Sequence, residues 1–278
     1  MKDPIKRLHF LGPSGTFSEF LGKKLYPEIN HISHPTISSI CSTVAKDDGS
    51  IGLIPIENSS EGSVNESLFS LVKYDVFVVA EAEIQVNQCF FSLSKDISTI
   101  ETLVSHPQSL GQCRNWIDLN FPNASIIPTS SNAEAMTLAS SDSSIAAIGS
   151  AHGGDLYALN MLFERIQDID FNVTKFNIVS ACNPLIATYN KTSIVLSLPD
   201  DEGAGSLIRI LEPFSRRNIP LTKIVSRPTH SKDWNYYFFI DFLGYLKTSD
   251  FNELIQEIQD ATNYFKVLGS YAKSDKII

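Results

Sequence analysis

Hydroxyl, amide and glycine residues cluster at three places in the chain where a short apolar run ends. The clusters are Gly-Pro-Ser-Gly-Thr-Phe-Ser at 12–18, Glu-Asn-Ser-Ser at 57–60 and Ser-His-Pro-Gln at 105–108. Residues of these types begin helices, and the first turn of a helix presents unpaired backbone N–H groups with a partial positive charge. The chemistry that this favours is the binding of a small anion by backbone amides and hydroxyls.

The elements that would position these clusters form a repeated pattern of apolar strand, polar turn and helix. The pattern occurs five times before residue 187, with apolar runs at 8–11, 51–56, 103–104, 126–127 and 145–148. This alternation predicts an α/β fold with mainly parallel sheets. Ligands bind such sheets at the carboxyl ends of the strands, so we expect several helix starts to converge on one pocket.

Two of the turns also have the spacing of a capping box. In this motif one side chain caps the helix, and the side chain three positions later bonds to the backbone N–H of the capping residue. Ser105 precedes Gln108, and Ser131 precedes Glu134. Both spacings predict a helix that begins directly after the serine. Each serine can therefore serve as a cap alone, or as a cap that also binds a ligand.

From about residue 191 the pattern changes to strand, helix, strand, strand, helix, strand. Apolar residues recur at helical spacing in two segments, which are Leu207, Ile210, Leu211 and Phe214, and then Phe251, Leu254, Ile255 and Ile258. The predicted strands are 192–198, 221–227, 234–243 and 264–268. The order βαββαβ predicts a ferredoxin-like domain. We therefore predict one domain at 1–187 and a second at 191–273, with the boundary at 183–190, where proline and polar residues interrupt the apolar runs.

The composition narrows the class of protein. The formal net charge of the 278 residues is -9, which argues against nucleic acid as a partner because phosphate backbones bind basic faces. The start of the chain lacks the pattern of an export signal, and no apolar stretch is long enough to span a bilayer. We therefore expect a cytoplasmic protein with no membrane partner.

The cysteines at 41, 89, 113 and 182 are widely scattered and form no C-x-x-C pair. This spacing predicts buried, reduced thiols rather than a metal or redox site.

Six motifs, in order along nearly the whole chain, resemble those of the prephenate dehydratase family. Residues 12–18 are similar to the family's opening G-P-x-G-T-F-S, and 55–65 to P-I-E-N-S followed by G-x-V. Residues 105–110 are similar to S-H-P-Q-A-L, and 146–149 to A-A-I-G. Residues 172–176 match N-x-T-R-F with lysine in place of arginine. In the second domain, 224–228 resemble the I-E-S-R-P of ACT ligand-sensing domains.

The resemblance implies a catalytic region of two α/β lobes, of the periplasmic-binding-protein kind, with the substrate in the cleft between them, followed by an ACT domain. It implies that prephenate loses its ring carboxylate as CO2 and its ring hydroxyl as water, which gives phenylpyruvate in L-phenylalanine biosynthesis. Aromatisation drives this reaction, so we expect no cofactor. Hydroxide is a poor leaving group, and the site therefore needs a strong hydrogen-bond donor beside it. No residues remain for a fused chorismate mutase, so we expect a monofunctional lyase.

The resemblance also assigns roles to individual residues. Thr174 is the expected donor to the departing hydroxyl, within a hydrogen-bond relay or as a donor to a partly departed hydroxide. Lys175 and Glu57 are expected to complete the catalytic group. The expected substrate-binding residues are Thr16, Ser18, Asn58, Ser59, Ser105, His106, Gln108 and Phe176.

Several of these residues have a second interpretation. Lys175 stands for the family's arginine and cannot make the planar two-pronged contact with a carboxylate, so it either binds substrate more weakly or pairs with Glu57 or another acid. Glu57 would orient Thr174 or Lys175 rather than meet a dianion. His106 is either a proton shuttle or a histidine that pairs at a helix start.

The ACT domain is expected to bind L-phenylalanine as a feedback ligand between paired domains, in a homodimer or a dimer of dimers. The residues that match the family's pocket segments are Gly205, Ser206, Leu207, Leu221, Ser226, Arg227 and Pro228. Pro220 stands where the family has asparagine, which removes an amide side chain and a backbone donor. Val225 stands where the family has glutamate, which removes a charge. We therefore predict that the domain is retained for dimerisation, with weakened or altered phenylalanine feedback.

Two other functions remain open on the sequence. An arogenate dehydratase would perform the same chemistry on a substrate in which the pyruvyl ketone has become an amino acid. A non-catalytic aromatic-acid sensor would keep the cleft and the ACT domain without turnover. The change at Lys175 keeps the sensor open as an alternative, whereas the intact motif around Thr174 argues against it.

Overall fold

The computed structural model describes residues 4–182, 191–199, 205–229, 235–244 and 249–278. These residues form two α/β lobes joined by two crossing segments, followed by a second domain with its own sheet. The predicted α/β fold class is confirmed. The predicted domain boundary at 183–190 lies outside the described residues.

The first lobe contains the beginning of the chain. Its elements are β1 (Arg7–Leu11), α1 (Phe17–Leu25), β2 (Asn30–His34), α2 (Ile37–Val44), β3 (Ser50–Asn58), β4 (Gly62–Ser63), α3 (Asn65–Lys73) and β5 (Phe77–Gln85). The helices pack on the sheet through apolar stripes. In α2, for example, the buried residues Ile37, Ile40, Cys41 and Val44 follow the helical repeat.

The second lobe follows directly. Its elements are β6 (Cys89–Ser92), β7 (Thr102–Ser105), α4 (Pro107–Gln112), α5 (Arg114–Asn120), β8 (Ser125–Pro128), α6 (Asn132–Ala139), β9 (Ile145–Gly149), α7 (Ala151–Leu156) and β10 (Asn160–Phe163). The strands pair in the order β10-β6-β9-β7-β8. Fully buried Phe90 stacks on Phe121 at 4.9 Å between ring centroids, which anchors α5 to this sheet.

The chain then returns to the first lobe as β11 (Val173–Ser180), between β3 and β5, and completes the sheet order β2-β1-β3-β11-β5. The strand β11 is antiparallel to both neighbours, and β6 is antiparallel to β9. The prediction of mainly parallel sheets is therefore wrong, and both sheets are mixed. A strand that enters a sheet from the other lobe needs no helical crossover, so the rule that favours parallel neighbours does not apply to it.

Two segments cross between the lobes side by side. The N–H of Val86 donates to the carbonyl of Asn172 at 2.7 Å, and the N–H of Ile166 donates to the carbonyl of Gln88 at 2.9 Å. These backbone hydrogen bonds join the outgoing and returning segments into one hinge between the lobes.

The second domain has the predicted βαββαβ order. Its elements are β12 (Lys191–Ser197), α8 (Ser206–Arg216), β13 (Leu221–Pro228), β14 (Tyr236–Leu243), α9 (Ser249–Asp260) and β15 (Tyr264–Tyr271). The sheet is antiparallel with the order β13-β14-β12-β15. The helices cover one face of this sheet, and the other face packs on α2 and α3 of the first lobe through a shared apolar core.

The residues after β15 return to the first lobe. The N–H of Ile278 donates to the carbonyl of Glu83 at 2.8 Å, and its carbonyl accepts from Gln85 at 2.9 Å. This segment therefore extends the sheet edge at β5, although the sequence gives no strand pattern there.

The described residues contain no helix that is both long and apolar enough to cross a membrane. The same residues contain no cluster of three or more His, Cys, Asp or Glu side chains suited to a metal ion. Cys41, Cys89 and Cys113 are buried free thiols, as predicted, and Cys182 is half-buried. Burial raises the pKa of the Cys41 and Cys113 thiols to about 12, so both stay protonated and unreactive.

Candidate functional site

A cavity of about 270 Å³ lies between the two lobes, where β1, β7, β8 and β9 end. Its walls come from both lobes and from the segment that crosses between them. The lining residues are Leu11, Gly12, Gly15, Thr16, Phe17, Ser18, Asn58, Val86, Gln88, His106, Gln108, Ser109, Gln112, Ser130, Ser131, Asn132, Ser150 and Thr174. The helix starts thus converge on one pocket, as the strand–turn–helix pattern predicts. We call this space the interlobe cavity.

The turn between β1 and α1 forms one wall of the interlobe cavity. Gly15 has a φ of 90°, in the left-handed region that favours glycine. Thr16 caps α1, since its Oγ1 accepts the N–H of Glu19 at 3.4 Å. The carboxylate of Glu19 accepts the Gly15 N–H at 2.6 Å. This pair of contacts holds the turn in place, with Thr16 and Ser18 on the cavity wall.

Asn58 and Thr174 lie opposite each other on β3 and β11. Nδ2 of Asn58 donates to Oγ1 of Thr174 at 2.9 Å. A hydroxyl also has one proton of its own to donate, and no described residue accepts that of Thr174. The Thr174 proton is therefore available to a ligand in the interlobe cavity.

Thr174 stands at one end of a chain of four amide side chains, which we call the amide chain. Nδ2 of Asn58 also donates to Oδ1 of Asn172 at 2.8 Å. Nδ2 of Asn172 donates to Oε1 of Gln112 at 3.0 Å, and Nε2 of Gln88 donates to the same oxygen at 3.0 Å. The amide chain runs from the first lobe through the hinge to the end of α4 in the second lobe.

The direction of the amide chain is set at Asn58. Its Oδ1 accepts the backbone N–H groups of Ser60 at 2.9 Å and Glu61 at 3.1 Å. The amide nitrogen must therefore face Thr174 and Asn172, because two backbone donors cannot face an NH2 group. Each following amide is then oriented in turn, since a flip would place two oxygens or two nitrogens together.

Asn132, the first residue of α6, has a similarly fixed orientation. Its Oδ1 accepts the N–H of His106 at 3.2 Å and the hydroxyl of Ser109 at 3.1 Å, and Oγ of Ser105 lies 3.0 Å from the same oxygen. The Nδ2 group therefore faces elsewhere, and no described residue accepts from it. It is a second free donor on the wall of the interlobe cavity.

His106, not Ser105, caps α4. Its Nδ1 accepts the N–H of Gln108 at 3.3 Å, so the neutral ring carries its proton on Nε2. Of the two interpretations of His106, this contact matches the histidine that pairs at a helix start. The predicted capping box at Ser105 is wrong, because Ser105 belongs to β7 and its hydroxyl lies 2.7 Å from the carbonyl of Ile148. At the other predicted box, Ser131 does cap α6.

The walls that the described residues give to the interlobe cavity are uncharged. Among the described residues that line it there is no lysine, arginine, aspartate or glutamate. The nearby carboxylate of Glu19 is turned inward: burial raises its pKa, but the Gly15 N–H and the charge of Lys23 outweigh burial and lower it. An anion in this cavity must be bound by backbone N–H groups, hydroxyls and amides.

Six of the predicted site residues line the interlobe cavity: Thr16, Ser18, Asn58, His106, Gln108 and Thr174. Three others do not. Ser59 is exposed and pairs with the backbone of the hinge, Ser105 is fully buried, and Phe176 belongs to the apolar core of the first lobe. None of these three residues lines the interlobe cavity.

Glu57 and Lys175 lie on the opposite face of the first-lobe sheet. Side chains alternate along a strand, so the neighbours of two cavity residues must point away from the cavity. Nζ of Lys175 lies 3.7 Å from Glu83, and the carboxylate of Glu57 lies 3.4 Å from Lys223 of the second domain. The expectation that both residues complete the catalytic group around Thr174 is therefore corrected. The alternative in which Lys175 pairs with another acid matches the structure.

The opposite face carries a second cavity of about 270 Å³, between the first-lobe sheet and the second domain. Its charged lining residues are Glu57, Glu81, Glu83, Lys175, Lys191, Lys223, Asp241 and Lys273. Lys191 is nearly buried and contacts Glu81 at 2.6 Å and Asp241 at 3.3 Å. Because acids and lysines pair across it, this space serves the contact between the domains.

The sequence interpretation missed several cavity residues. Gln112 lies four residues after Gln108 on α4, and helical spacing alone could have placed it on the same face. Asn132 begins α6 after β8, and Ser150 directly follows β9, at two of the predicted strand–turn–helix repeats, yet the sequence analysis assigns neither to the site. Gln88 gives no signal in the sequence, because the hinge that places it depends on the arrangement of the two lobes.

The residues predicted to bind a feedback ligand occupy three positions in the second domain. Gly205 has a φ of 100° and precedes α8, where Ser206 and Leu207 form the first turn. Leu221, Ser226 and Pro228 belong to β13, the edge strand of the sheet. Arg227 departs from the expectation, because its guanidinium contacts Oδ1 of Asn65 in the first lobe at 2.6 Å.

A family model for prephenate dehydratase matches residues 8–183. The bifunctional chorismate mutase/prephenate dehydratase of Pseudomonas aeruginosa is 35% identical over 277 residues, which cover 99% of this chain and 75% of that protein. The prephenate dehydratase of Methanocaldococcus jannaschii is 31% identical over 95% of this chain and 97% of its own length. Arogenate dehydratase 3 of Arabidopsis thaliana is also 31% identical, over 95% of this chain and 66% of that protein.

Solved structures of similar proteins share the fold. The prephenate dehydratase of Arthrobacter aurescens in complex with L-Phe superposes with a TM-score of 0.87 at 30% identity and covers 97% of this chain and 91% of its own. That of Staphylococcus aureus has a TM-score of 0.82 at 26% identity and covers 95% of this chain and 99% of its own. The likeness extends over the lobes and the second domain together.

Proposed function

The chain belongs to the prephenate dehydratase family, and we propose that it converts prephenate to phenylpyruvate as a carbon–oxygen lyase. The substrate occupies the interlobe cavity. The observation that carries the proposal is the free proton of Thr174, whose oxygen already accepts from Asn58 at 2.9 Å. A hydroxyl whose oxygen already accepts one hydrogen bond keeps its own proton for a ligand in the cavity, and a departing hydroxyl group requires such a donor.

The reaction breaks two bonds on the substrate ring. The bond to the ring carboxylate breaks, CO2 leaves, and the electron pair enters the ring. The bond to the ring hydroxyl breaks as well, and hydroxide leaves with its electron pair. Thr174 stabilises the growing negative charge with a hydrogen bond, and solvent supplies the proton that completes the water molecule. A positioned donor of this kind contributes about 100- to 1000-fold in rate.

The carboxylates of the substrate need donors, and the uncharged cavity provides them. The Nδ2 group of Asn132 is a free donor from the second lobe. The first turn of α1, behind Thr16, adds backbone N–H groups and the positive end of the helix dipole. Donors from both lobes would hold the ring in one orientation and exclude water from it.

The second domain, which we assign to residues 191–273 beside a catalytic domain at 1–187, would act as an ACT domain that binds L-phenylalanine and pairs two chains. The L-Phe complex of the relative from Arthrobacter aurescens supports this assignment. Val225 is half-buried and packs on the apolar core shared with the first lobe, where glutamate would be desolvated. This packing supports weakened phenylalanine feedback. We propose in addition that the protein is a cytoplasmic homodimer or dimer of dimers.

One assay tests the catalytic proposal. Prephenate is added to the purified wild type and to Thr174→Ala, and phenylpyruvate is followed by its absorbance. We expect turnover by the wild type and a loss of at least about 100-fold in kcat for the variant. A wild type no faster than the variant would instead favour the non-catalytic sensor.

A calorimetric titration tests the regulatory proposal. L-phenylalanine is titrated into the full chain, and the same concentrations are added to the turnover assay. We expect weak binding and weak inhibition, whereas tight binding with strong inhibition contradicts the predicted loss of feedback.

A further inference from the structure

Gln88 contains a buried hydrogen-bond acceptor that no residue in the described part of the chain satisfies. The residue lies in the hinge, is 2% exposed and belongs to the wall of the interlobe cavity. Its Nε2 donates to Gln112, whereas its Oε1 is buried and has no hydrogen-bond partner among the described residues. A buried acceptor without a partner is energetically unfavourable, so its presence needs a reason.

A rotated amide does not explain this orphaned oxygen. If Gln88 were flipped, its oxygen would face Oε1 of Gln112, which already accepts from Asn172 at 3.0 Å. If Gln112 were flipped as well, its side-chain nitrogen would face the side-chain nitrogen of Asn172. Asn172 and then Asn58 would have to flip in turn to restore the hydrogen bonds. The two backbone N–H groups that hold Asn58 prevent that last flip. The Gln88 oxygen is therefore an acceptor in the one arrangement that satisfies the amide chain.

Prephenate and arogenate differ in one side-chain group, and that group decides whether the substrate can donate a hydrogen bond to such an acceptor. The side chain of prephenate carries a ketone, which can only accept hydrogen bonds. That of arogenate carries an ammonium group, which has three protons to donate. A site that contains a buried acceptor discriminates against the ligand that leaves it unpaired.

We propose that Gln88 is a specificity-determining residue whose side-chain oxygen accepts a hydrogen bond from the ammonium group of an amino-acid substrate, so that the site accepts arogenate as well as prephenate. This inference rests on the proposed dehydratase function and names its substrate class. It gives the amide chain two roles: its Thr174 end presents a donor to the leaving group, and its Gln88 end presents an acceptor to the substrate side chain.

The test is the ratio of kcat/KM for arogenate to that for prephenate, because any shared effect on the fold or on Gln112 cancels in a ratio. We expect the wild type to use both substrates, and Gln88→Leu to lower the ratio about 10- to 100-fold. Gln88→Glu keeps an acceptor oxygen, so the ratio should stay at the wild-type value or rise. Gln85→Leu, three residues earlier on β5 and outside the interlobe cavity, is the matched control and should leave the ratio unchanged.

Binding provides a second readout that does not depend on turnover. In the Thr174→Ala background, Gln88→Leu should weaken the binding of arogenate by about 10-fold more than that of prephenate. If the wild type uses prephenate but not arogenate, the role of Gln88 is overturned and the dehydratase proposal stays intact. The same conclusion follows if Gln88→Leu loses equal activity on both substrates. A wild type inactive on both substrates contradicts the dehydratase proposal, and the binding ratio then decides the role of Gln88 by itself.

Discussion

Asn58 and Asn172 meet across the junction of the first lobe and the hinge, with Nδ2 of Asn58 2.8 Å from Oδ1 of Asn172. Both side chains are buried. The same Nδ2 group donates to Thr174, so the orientation of Asn58 decides whether the Thr174 proton points to the cavity. Asn172 supports the orientation that the N–H groups of Ser60 and Glu61 give to Asn58, and we predict that it is a positioning residue that acts through Asn58.

Replacing Asn172 tests this relationship. Asn172→Ala removes the acceptor for Asn58 and the donor to Gln112, so we expect kcat for prephenate to fall about 10- to 100-fold, with a smaller change in KM. Stability should also fall by about 1–3 kcal/mol, because buried polar groups lose their partners. The measurements are steady-state kinetics and urea unfolding.

Asn177→Ala is the matched control, since Asn177 is a buried asparagine on β11, the strand that follows Asn172, and it lines the cavity toward the second domain instead. It should lose stability without the drop in kcat. Equal kcat values for the two variants, once both are shown to be folded, would contradict a positioning role for Asn172.

Lys175 gives a prediction opposite to the one that its motif suggests. Because Nζ faces Glu83 at 3.7 Å on the far side of the sheet, Lys175→Ala should change KM for prephenate by less than about 3-fold. Lys175→Arg should behave in the same way. A 10-fold or larger rise in KM for the alanine variant would show that the ammonium reaches the substrate after all.

The sequence predicts the elements well because each depends on local pattern. The apolar runs became strands, and the two helices of the second domain have the predicted spacing. The face on which a residue lies is harder to predict. Lys175 and Glu57 belong to the same motifs as Thr174 and Asn58, and the alternation of strand side chains sends one member of each pair away from the cavity.

The contacts of the hinge residues cannot be predicted from local sequence patterns, for a different reason. Gln88 and Asn172 come together because the chain leaves the first lobe and returns to it beside its own path, 84 positions apart in the sequence by their numbers. The helical and strand repeats in the sequence do not indicate a contact between residues so far apart. The sequence does not predict the antiparallel pairing of β11 for the same reason, since the composition of the strand does not indicate which strands it pairs with.

Asn132 offers a sharp test of anion binding by the uncharged cavity. Asn132→Asp keeps an oxygen for the donors from His106 and Ser109 and replaces only the free NH2 group by a second oxygen. That oxygen would repel a substrate carboxylate, so we expect KM for prephenate to rise at least about 10-fold with little change in fold. Kinetics across ionic strength provide the measurement. An unchanged KM would mean that Asn132 does not contact the substrate.

Lys191 gives a prediction about stability and its dependence on pH. Burial lowers the pKa of Lys191, but the charges of Asp241 and Glu81 outweigh burial and raise it above the usual value. A raised pKa in the folded state means that the contribution of Lys191 is complete below about pH 10.4, its unfolded value, and is lost as the pH rises through the folded value. The free energy of unfolding should therefore be insensitive to this group from pH 7 to about 10 and fall above that range.

The variant Lys191→Met measures the contribution of Lys191 to the free energy of unfolding. The variant leaves the nearly buried Glu81 and Asp241 without their counter-ion, so we expect a loss of about 3–5 kcal/mol at pH 7 in urea unfolding. Burial also raises the pKa of Tyr271, so its ionisation weakens the fold in the same alkaline range in both proteins. Because Nζ of Lys191 lies 5.6 Å from the centroid of the Tyr271 ring, the difference between the two proteins reports on Lys191 together with its contact with Tyr271. Arg114→Met, which breaks an exposed pair with Asp118, is the control and should change stability little. If Lys191→Met is as stable as the control at pH 7, the buried lysine does not hold the second domain against the first lobe.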